Sequence, residues 1–261
     1  MAASVALLAT AWFLVPRFAQ LQTEGLVALR APSPAVSATP APQTYPSAVP
    51  ADTPLHVVGL GDSVPAATTE DPSDSYIVLV GEGLAERANR PARTDNLAVP
   101  GLTTVGLLGQ LSEAPVRETV ATADVVIITV GANDLDPEEM IDATAESASV
   151  SETRDVLTRV VDTVRGLAPQ ARIVLTGYWN VFAAGAVGVE LGPDYVSQSD
   201  RLTREFNAMV ETLALSEGVT YVDIYTPFLS WGDETDLLAS DGDHPNALGH
   251  EVIAKALLAK V

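Results

Sequence analysis

Short apolar runs alternate with segments of helical periodicity from Leu55 to the end of the chain. Strands that alternate with helices require crossover connections and a parallel sheet that is covered on both faces. The predicted strands are 55–60, 94–98, 123–130, 172–176 and 219–224, and the predicted helices are 76–89, 103–111, 151–167, 198–215 and 247–258. The alternation therefore predicts an α/β fold, a three-layer α/β/α sandwich around a five-stranded parallel sheet.

Residues 1–54 differ in composition from the rest of the chain. Residues 2–15 are uncharged and mostly apolar. These 14 residues are too few to cross a bilayer comfortably, but they suit the core of a secretory signal. The basic residues that usually precede such a core are missing. Residues 31–54 contain seven prolines and predict an extended linker. We therefore expect a signal-like or anchor segment at 1–30, a Pro-rich linker at 31–54 and a globular domain at 55–261. The protein is expected to be exported, either extracellular or tethered to the outer face of a membrane through residues 2–15.

The composition excludes several kinds of partner and site. A formal net charge of -20 repels phosphate backbones, so no nucleic-acid partner is expected. The absence of cysteine excludes thiolate catalysis, disulfides and Cys-ligated metals. The histidines are His56, His244 and His250, too few for a two-metal phosphoesterase. We expect no metal and no organic cofactor, and a monomer.

Three polar clusters follow three of the predicted strands. Ser63 follows the first strand in Gly61-Asp-Ser, Gly101 follows the second, and Asn133 follows the third in Gly131-Ala-Asn-Asp. Because ligands bind beyond the carboxyl ends of parallel strands, these residues are expected to share one edge of the sheet. Simpler interpretations remain open: Ser63 as a helix N-cap, Gly101 as a turn residue and Asn133 as a turn-forming side chain.

The sequence Asp241-Gly-Asp-His244 near the end of the chain completes a set for nucleophilic catalysis. A serine supplies the oxygen, a histidine takes its proton, and a carboxylate fixes the imidazole tautomer. Asp241 is preferred to Asp243 as the partner of His244, because the side chains of neighbouring residues diverge. His56 in the first strand and His250 on the last helix are interpreted as structural, and Asp62 and Asp134 as loop braces.

Other catalytic motifs are incomplete. The segment Gly59-Leu-Gly61-Asp-Ser-Val64 lacks the third glycine of a dinucleotide site, and no Gly-Lys-Ser/Thr occurs for a P-loop. His250 begins a zinc-protease-like motif, but Ala254 replaces the second histidine. No Gly-x-Ser-x-Gly is present, which argues against an α/β-hydrolase nucleophile.

The complete set of motifs resembles a known family. Four blocks occur in this order: Gly-Asp-Ser63-Val, Ala98-Val-Pro-Gly101, Gly131-Ala-Asn133-Asp134 and Asp241-Gly-Asp-His244-Pro. They resemble the SGNH/GDSL family of esterases and lipases over residues 55–261. The sequence departs from the family at Val64-Pro65-Ala66-Ala67, where a small residue and a glycine are common, and this leaves the mouth of the site undefined.

The resemblance implies a flavodoxin-like sheet and a role for each matching residue. Ser63 would be the nucleophile, with His244 as its base and Asp241 orienting that base. The oxyanion hole would consist of the backbone N–H groups of Ser63 and Gly101 and the side-chain amide of Asn133.

The expected activity is that of a serine esterase, which hydrolyses carboxylic esters through an acyl-enzyme, with short acyl or acetyl groups favoured. The substrate would be a small-molecule, lipid or carbohydrate ester. The alternatives are an acyltransferase, a lysophospholipase or lipase, and a noncatalytic carbohydrate-binding relative. The connection 177–197 is about 20 residues long, and long loops are often functional. Tyr178, Trp179 and Phe182 are therefore predicted to line the acyl-binding part of the site.

Overall fold

The computed structural model of the chain describes residues 52–135, 143–181 and 185–261. Five parallel strands in these ranges form one sheet. They are β1 (Leu55–Gly61), β2 (Ala92–Asn96), β3 (Val125–Thr129), β4 (Arg172–Thr176) and β5 (Thr220–Val222). Their order is β2-β1-β3-β4-β5, which is the flavodoxin-like order of doubly wound sheets. The predicted fold class is confirmed.

Helices form the two outer layers. In the described ranges the helices are α1 (Ser63–Ala66), α2 (Tyr76–Ala88), α3 (Thr104–Gln110), α4 (Ala114–Val120), α5 (Ala143–Leu167), α6 (Gly185–Leu191), α7 (Pro193–Glu217), α8 (Tyr225–Leu229) and α9 (Ala247–Leu258), with 3-10 helices at Pro72–Asp74, Ala132–Asp134 and Glu234–Leu237. Helix α2 packs against α9 and against β1 and β2. Helix α5 packs against α3 and α7.

The position of each strand in the sheet explains its sequence. Every residue of the central strand β3 is buried. A strand that is covered on both faces has no solvent side, so Val-Val-Ile-Ile-Thr shows no alternation of polar and apolar residues. The edge strand β2 is more polar, and there Arg93 forms an ion pair with Asp95 at 2.8 Å. Polar side chains of this kind protect a free sheet edge from pairing with another chain.

Several boundaries differ from the prediction. Strand β2 begins two residues before the predicted 94–98, because its pairing with β1 aligns Ala92 with Leu55 and Asn96 with Gly59. The apolar Leu97 lies within the predicted range but just after the observed strand. Strands β3 and β5 are shorter than predicted, and helices α5 and α7 are longer.

The connection 177–197 was predicted as a long loop, and this is wrong. Residues 185–191 form helix α6, and α7 begins at Pro193 after a single intervening residue. Proline suits the first turn of a helix because its missing N–H would have had no partner there. The preceding Gly192 has φ +85°, a conformation that favours glycine.

Side-chain caps define where three of these helices start. Ser75 accepts a hydrogen bond from Ile77 N–H at the start of α2, and Thr103 accepts one from Gly106 N–H at the start of α3. Asn246 caps α9 by accepting from Gly249 N–H at 3.0 Å. Such caps are each worth about 1 kcal/mol. The caps at Thr103 and Asn246 also fix the ends of the loops that carry Gly101 and His244.

The described chain enters the domain through a polar clamp. Arg90 donates hydrogen bonds to the carbonyl oxygens of Thr53 and Pro54, both at 2.8 Å, and forms an ion pair with Asp124 at 3.1 Å. The predicted segment 1–30 and the linker up to residue 51 lie outside the described residues. No helix within the described ranges has the length and hydropathy that crossing a membrane requires.

Candidate active site

The ends of β1 and β3 bring three loops together at one edge of the sheet. The N–H of Asp62 donates to the carbonyl oxygen of Thr129 at 3.2 Å, and the N–H of Val99 donates to that of Gly61 at 2.9 Å. The loops that begin at Ser63, Gly101 and Asn133 therefore start from the same edge, as the topology of a parallel sheet requires.

The turn that carries Ser63 is tightly constrained. Gly61 has φ +141°, and a Cβ there would lie 1.8 Å from the carbonyl oxygen of Thr129, so only glycine fits. Asp62 caps α1 by accepting a hydrogen bond from Val64 N–H at 3.0 Å. Ser63 is the first residue of that helix and is half-buried. An N–H in the first turn of a helix has no intrahelical acceptor, so the N–H of Ser63 is available to a ligand.

Gly101 and Asn133 lie on neighbouring loops and are both exposed. Gly101 has φ +78°, but the position of a Cβ is open space, so its backbone conformation rather than crowding favours glycine. The Nδ2 of Asn133 donates to the carbonyl oxygen of Leu102 at 3.1 Å. An amide group carries two hydrogens, and this contact uses one of them. The same hydrogen bond joins the Asn133 loop to the Gly101 loop.

Asp134 braces these two loops. Its carboxylate accepts a hydrogen bond from the Thr104 N–H at 2.9 Å and another from the Thr104 hydroxyl at 2.5 Å. Burial raises the pKa of Asp134 to about 6, against the lowering effect of the bonds from Thr104. Asp134 thus holds the start of α3 against the loop that carries Asn133.

His244 is oriented by Asp241. The distance from His244 Nδ1 to Asp241 Oδ2 is 2.7 Å, and Asp241 Oδ1 accepts the N–H groups of Asp243 and His244, both at 3.1 Å. Partial burial acts to raise the pKa of Asp241, but these hydrogen bonds outweigh it and the pKa lies below its ordinary value. With Nδ1 engaged, Nε2 is the nitrogen left for proton transfer. No hydrogen bond joins Ser63 Oγ to His244 within the described ranges.

Asp62, beside Ser63, is a buried carboxyl group with only 1% of its surface exposed. The hydroxyl of Tyr178 donates to its Oδ2, and Val64 N–H donates to its Oδ1. Burial raises the pKa of Asp62 to about 7, against the lowering effects of these two bonds and of a positive charge on His244.

The predicted aromatic lining of the acyl site is wrong for two residues and untested for the third. Tyr178 and Trp179 expose only 2% and 1% of their surfaces. Tyr178 is engaged by Asp62, and the Trp179 ring stacks on Phe228 with centroids 4.4 Å apart. Both side chains fill the core beyond the end of β4, so neither forms an open wall. Phe182 lies outside the described residues.

Asn207 contributes to the site in a way that the sequence did not reveal. Its Nδ2 donates to the carbonyl oxygen of Tyr178 at 2.7 Å, and its Oδ1 accepts from the N–H of Tyr178 at 2.9 Å. The sequence signal that could have identified Asn207 is its polar side chain on the same part of α7 as Phe206 and Val210, which are both buried.

The other two histidines have structural contacts. His56 Nε2 lies 2.8 Å from Asp95 Oδ2 at the opposite end of β1. His250 Nδ1 accepts a hydrogen bond from Tyr76 N–H at 3.3 Å, at the start of α2, and burial lowers the pKa of His250 to about 4. Among the residues that the structure describes, no group of three acidic or histidine side chains is arranged to hold a metal ion.

Comparisons with known proteins agree with this architecture. The model of the GDSL-like lipase/acylhydrolase family matches residues 60–252. The uncharacterised protein YpmR of Bacillus subtilis (strain 168) is 23% identical over 208 residues, which cover 76% of this chain and 78% of YpmR.

Two solved structures illustrate the structural similarity. The lipase Lip_vut3 from a goat rumen metagenome superposes with a TM-score of 0.63 at 20% identity, covering 78% of this chain and 96% of the lipase. A variant of the acetyl xylan esterase Axe2 from Geobacillus stearothermophilus superposes with a TM-score of 0.58 at 20% identity, covering 80% of this chain and 94% of the esterase. At these identities, the similarity concerns the fold.

Proposed function

Because the chain belongs to the GDSL-like lipase/acylhydrolase family, we propose that it is a serine esterase that hydrolyses carboxylic esters through an acyl-enzyme on Ser63. The observation that carries the proposal is the 2.7 Å contact between His244 Nδ1 and Asp241 Oδ2. It leaves His244 Nε2 free of the Asp241 contact and so supports the role of His244 as the base in this proposal.

Acylation would begin with attack of Ser63 Oγ on the carbonyl carbon of the ester. The proton of Ser63 passes to His244 Nε2, and Asp241 stabilises the resulting imidazolium. The carbonyl oxygen becomes an oxyanion that accepts hydrogen bonds from the N–H of Ser63, the N–H of Gly101 and the Nδ2 of Asn133. The bond to the alcohol oxygen then breaks, and that oxygen takes the proton from His244.

Deacylation repeats these steps with water. His244 removes a proton from water, whose oxygen attacks the acyl carbon, and the bond to Ser63 Oγ breaks as Ser63 recovers its proton. If a sugar or lipid hydroxyl replaced the water, the same residues would transfer the acyl group instead.

We propose short acyl groups, acetyl included, as the preferred substrates. Gly101, Asn133 and Asp241 are all exposed, and Ser63 is half-buried. An open site of this kind suits a small acyl group carried on a bulky alcohol that remains largely outside the protein. This argument replaces the aromatic lining expected from the sequence.

The alternative of a lipase or lysophospholipase is favoured by a separate observation. Val189 and Leu191 on α6 expose 86% and 54% of their surfaces. These exposed side chains give α6 an apolar surface to which a long acyl chain could bind.

A panel of activated esters from acetyl to palmitoyl, with acetylated sugars and lysophospholipids, tests the substrate proposal. The expected result is the highest kcat/KM for acetyl or butyryl esters. A preference for palmitoyl esters or lysophospholipids would favour the lipase alternative.

A fluorophosphonate should label the protein at Ser63 alone, and Ser63→Ala should abolish both labelling and turnover. Labelling at another serine, or an active Ser63→Ala variant, would overturn the mechanism.

We also propose that residues 1–54 export or tether the domain, on the basis of the apolar segment 2–15 and the proline-rich linker. Fusing residues 1–54 to a reporter that is active only outside the cytoplasm tests this. An inactive reporter retained in the cytoplasm would contradict it.

A further inference from the structure

Tyr178 connects the turn that carries Ser63 to the interior of α7. The Tyr178 hydroxyl donates to Asp62 Oδ2, and Asp62 Oδ1 accepts from the N–H of Val64, the residue after Ser63. On its other side, Asn207 bonds both the N–H and the carbonyl oxygen of Tyr178. These bonds connect a helix in an outer layer of the fold to Val64, the residue that follows the proposed nucleophile.

The backbone beside Tyr178 also has the space that this contact with Asn207 requires. A Cβ on Gly177 would lie 2.2 Å from Asn207 Oδ1, so glycine at this position allows Asn207 to approach the chain beside Tyr178. Both polar atoms of the Asn207 side chain are used, and the residue is buried. The two hydrogen bonds to the N–H and carbonyl oxygen of Tyr178 fix the position and the direction of this residue, two positions after the end of β4.

We propose that Tyr178 and Asn207 are positioning residues for catalysis, which hold the Asp62 carboxylate and thereby fix the turn that presents Ser63 Oγ and N–H to the ester. The inference rests on the proposed function, because it assigns a role relative to Ser63 as nucleophile. Misplacing a reacting group by about 1 Å can cost on the order of 10² in rate, so a rigid support for this turn has a catalytic consequence.

The Asp62 carboxylate depends on its donors because it is almost entirely buried. A buried ionised carboxylate is costly unless its oxygens are hydrogen-bonded. Without the Tyr178 hydroxyl, Oδ2 loses its donor, and the group must rotate towards another partner or take up a proton. Either response weakens the bond from Val64 N–H and loosens the turn.

Loss of the Tyr178 hydroxyl also predicts a change in the pH dependence of activity. Besides burial, the groups that shift the pKa of Asp62 are Tyr178, the Val64 N–H, the imidazole of His244 and the carboxylate of Asp134. Tyr76 also faces Asp62, whose charge raises the pKa of Tyr76, but the Tyr76 hydroxyl does not shift the pKa of Asp62. The Tyr178 hydroxyl lowers the pKa of Asp62, so removing it should raise that pKa further. Activity should then fall at a higher pH on acidification than in the wild type.

Tyr178→Phe tests the proposal, and Tyr76→Phe is its matched control. Tyr76 is equally buried, and its hydroxyl bonds the side chain of Thr129 at 2.5 Å rather than a carboxylate. Each variant loses one buried hydroxyl from the same core. For Tyr178→Phe we expect kcat on a short activated ester to fall by about tenfold or more, with KM changed less than about threefold. The acidic limb of its pH–rate profile should move to higher pH, and the Tyr76→Phe profile should not move.

Asn207→Asp provides a second test. It keeps the acceptor for the Tyr178 N–H but removes the donor to the Tyr178 carbonyl oxygen, so kcat should again fall more than KM changes. If Tyr178→Phe lowers kcat no more than Tyr76→Phe and leaves the pH profile unmoved, Tyr178 is merely structural and the inference is overturned. Fluorophosphonate labelling of the wild type separates the two failures: if Ser63 is not labelled, the proposed function itself is wrong.

Discussion

The carboxylate of Asp62 accepts a hydrogen bond from the hydroxyl of Tyr178, 116 residues further along the chain. Asp62 follows β1 and Tyr178 follows β4, and β3 lies between these two strands in the sheet. The bond therefore connects loops that are not adjacent at the carboxyl edge. Because of it, the turn that carries Ser63 cannot shift independently of the end of β4.

Asp241→Asn should reduce kcat by about 10⁴, the loss typical of a catalytic histidine held in the wrong tautomer. Asparagine is of similar size, but it has a single acceptor oxygen. If that oxygen keeps the N–H groups of Asp243 and His244, an NH₂ group takes the place of the Oδ2 that now lies 2.7 Å from His244 Nδ1. The matched control is Asp243→Asn, two residues away, whose side chain does not bond His244 and which should retain kcat within about threefold. Steady-state kinetics on one activated ester measures both variants. Equal losses in the two variants would reassign the partner of His244.

Asn133→Ala should lower kcat by roughly 10²–10³ with little change in KM, the usual effect of removing an oxyanion donor. Gly101→Ala provides a contrast, because it keeps the backbone N–H. It places a side chain at φ +78° in otherwise open space, at a cost of about 1–2 kcal/mol in stability. Thermal unfolding and kinetics together separate the two effects. An Asn133→Ala variant with normal kcat would leave Asn133 as a loop residue bonded to Leu102.

Asp62→Asn should gain stability relative to the wild type as pH rises from 5 to 8, because the loss of one acceptor oxygen acts at both pH values. The pKa of Asp62 is raised from 3.8 to about 7 by burial, so between about pH 4 and 7 the folded state binds more protons than the unfolded state. The free energy of unfolding therefore falls as pH rises through that window, and a neutral amide at this position avoids the loss. Melting curves of both proteins at pH 5 and pH 8 measure the difference in Tm, and each 1 kcal/mol corresponds to about 2–4 °C for a domain of this size. A difference in Tm between variant and wild type that is the same at both pH values would contradict the assignment.

The fold could be predicted from the sequence because its signals are local. The buried run in β3 and the periodic helix that ends at Leu167 each follow from a short window of residues. Asp241 and His244 are three positions apart, and a chain so short cannot separate them widely. The packing of Tyr178 could not be predicted in this way, because no local signal determines it. An aromatic residue after a strand has the same local sequence whether it faces a cleft or the core, and its direction is set by Asn207, 29 residues later.

A chain that begins at Asp52 should have a higher Tm than one that begins at Leu55. The two differ by three exposed residues, but these include the carbonyl oxygens of Thr53 and Pro54, which both accept hydrogen bonds from Arg90 at 2.8 Å. In the shorter chain the Arg90 guanidinium keeps only its ion pair with Asp124. Hydrogen bonds to charged groups contribute about 1.5–3 kcal/mol when protected from water. Because these bonds are exposed, the expected difference in Tm is only a few degrees.

Both chains should keep the same kcat/KM, because the clamp lies at the edge of the sheet opposite Ser63. Arg90→Ala in the longer chain should lower Tm at least as far as the shorter chain does, because it also removes the ion pair with Asp124. If the two chain lengths melt at the same temperature, Arg90 does not hold the entry of the chain, and the domain begins at Leu55.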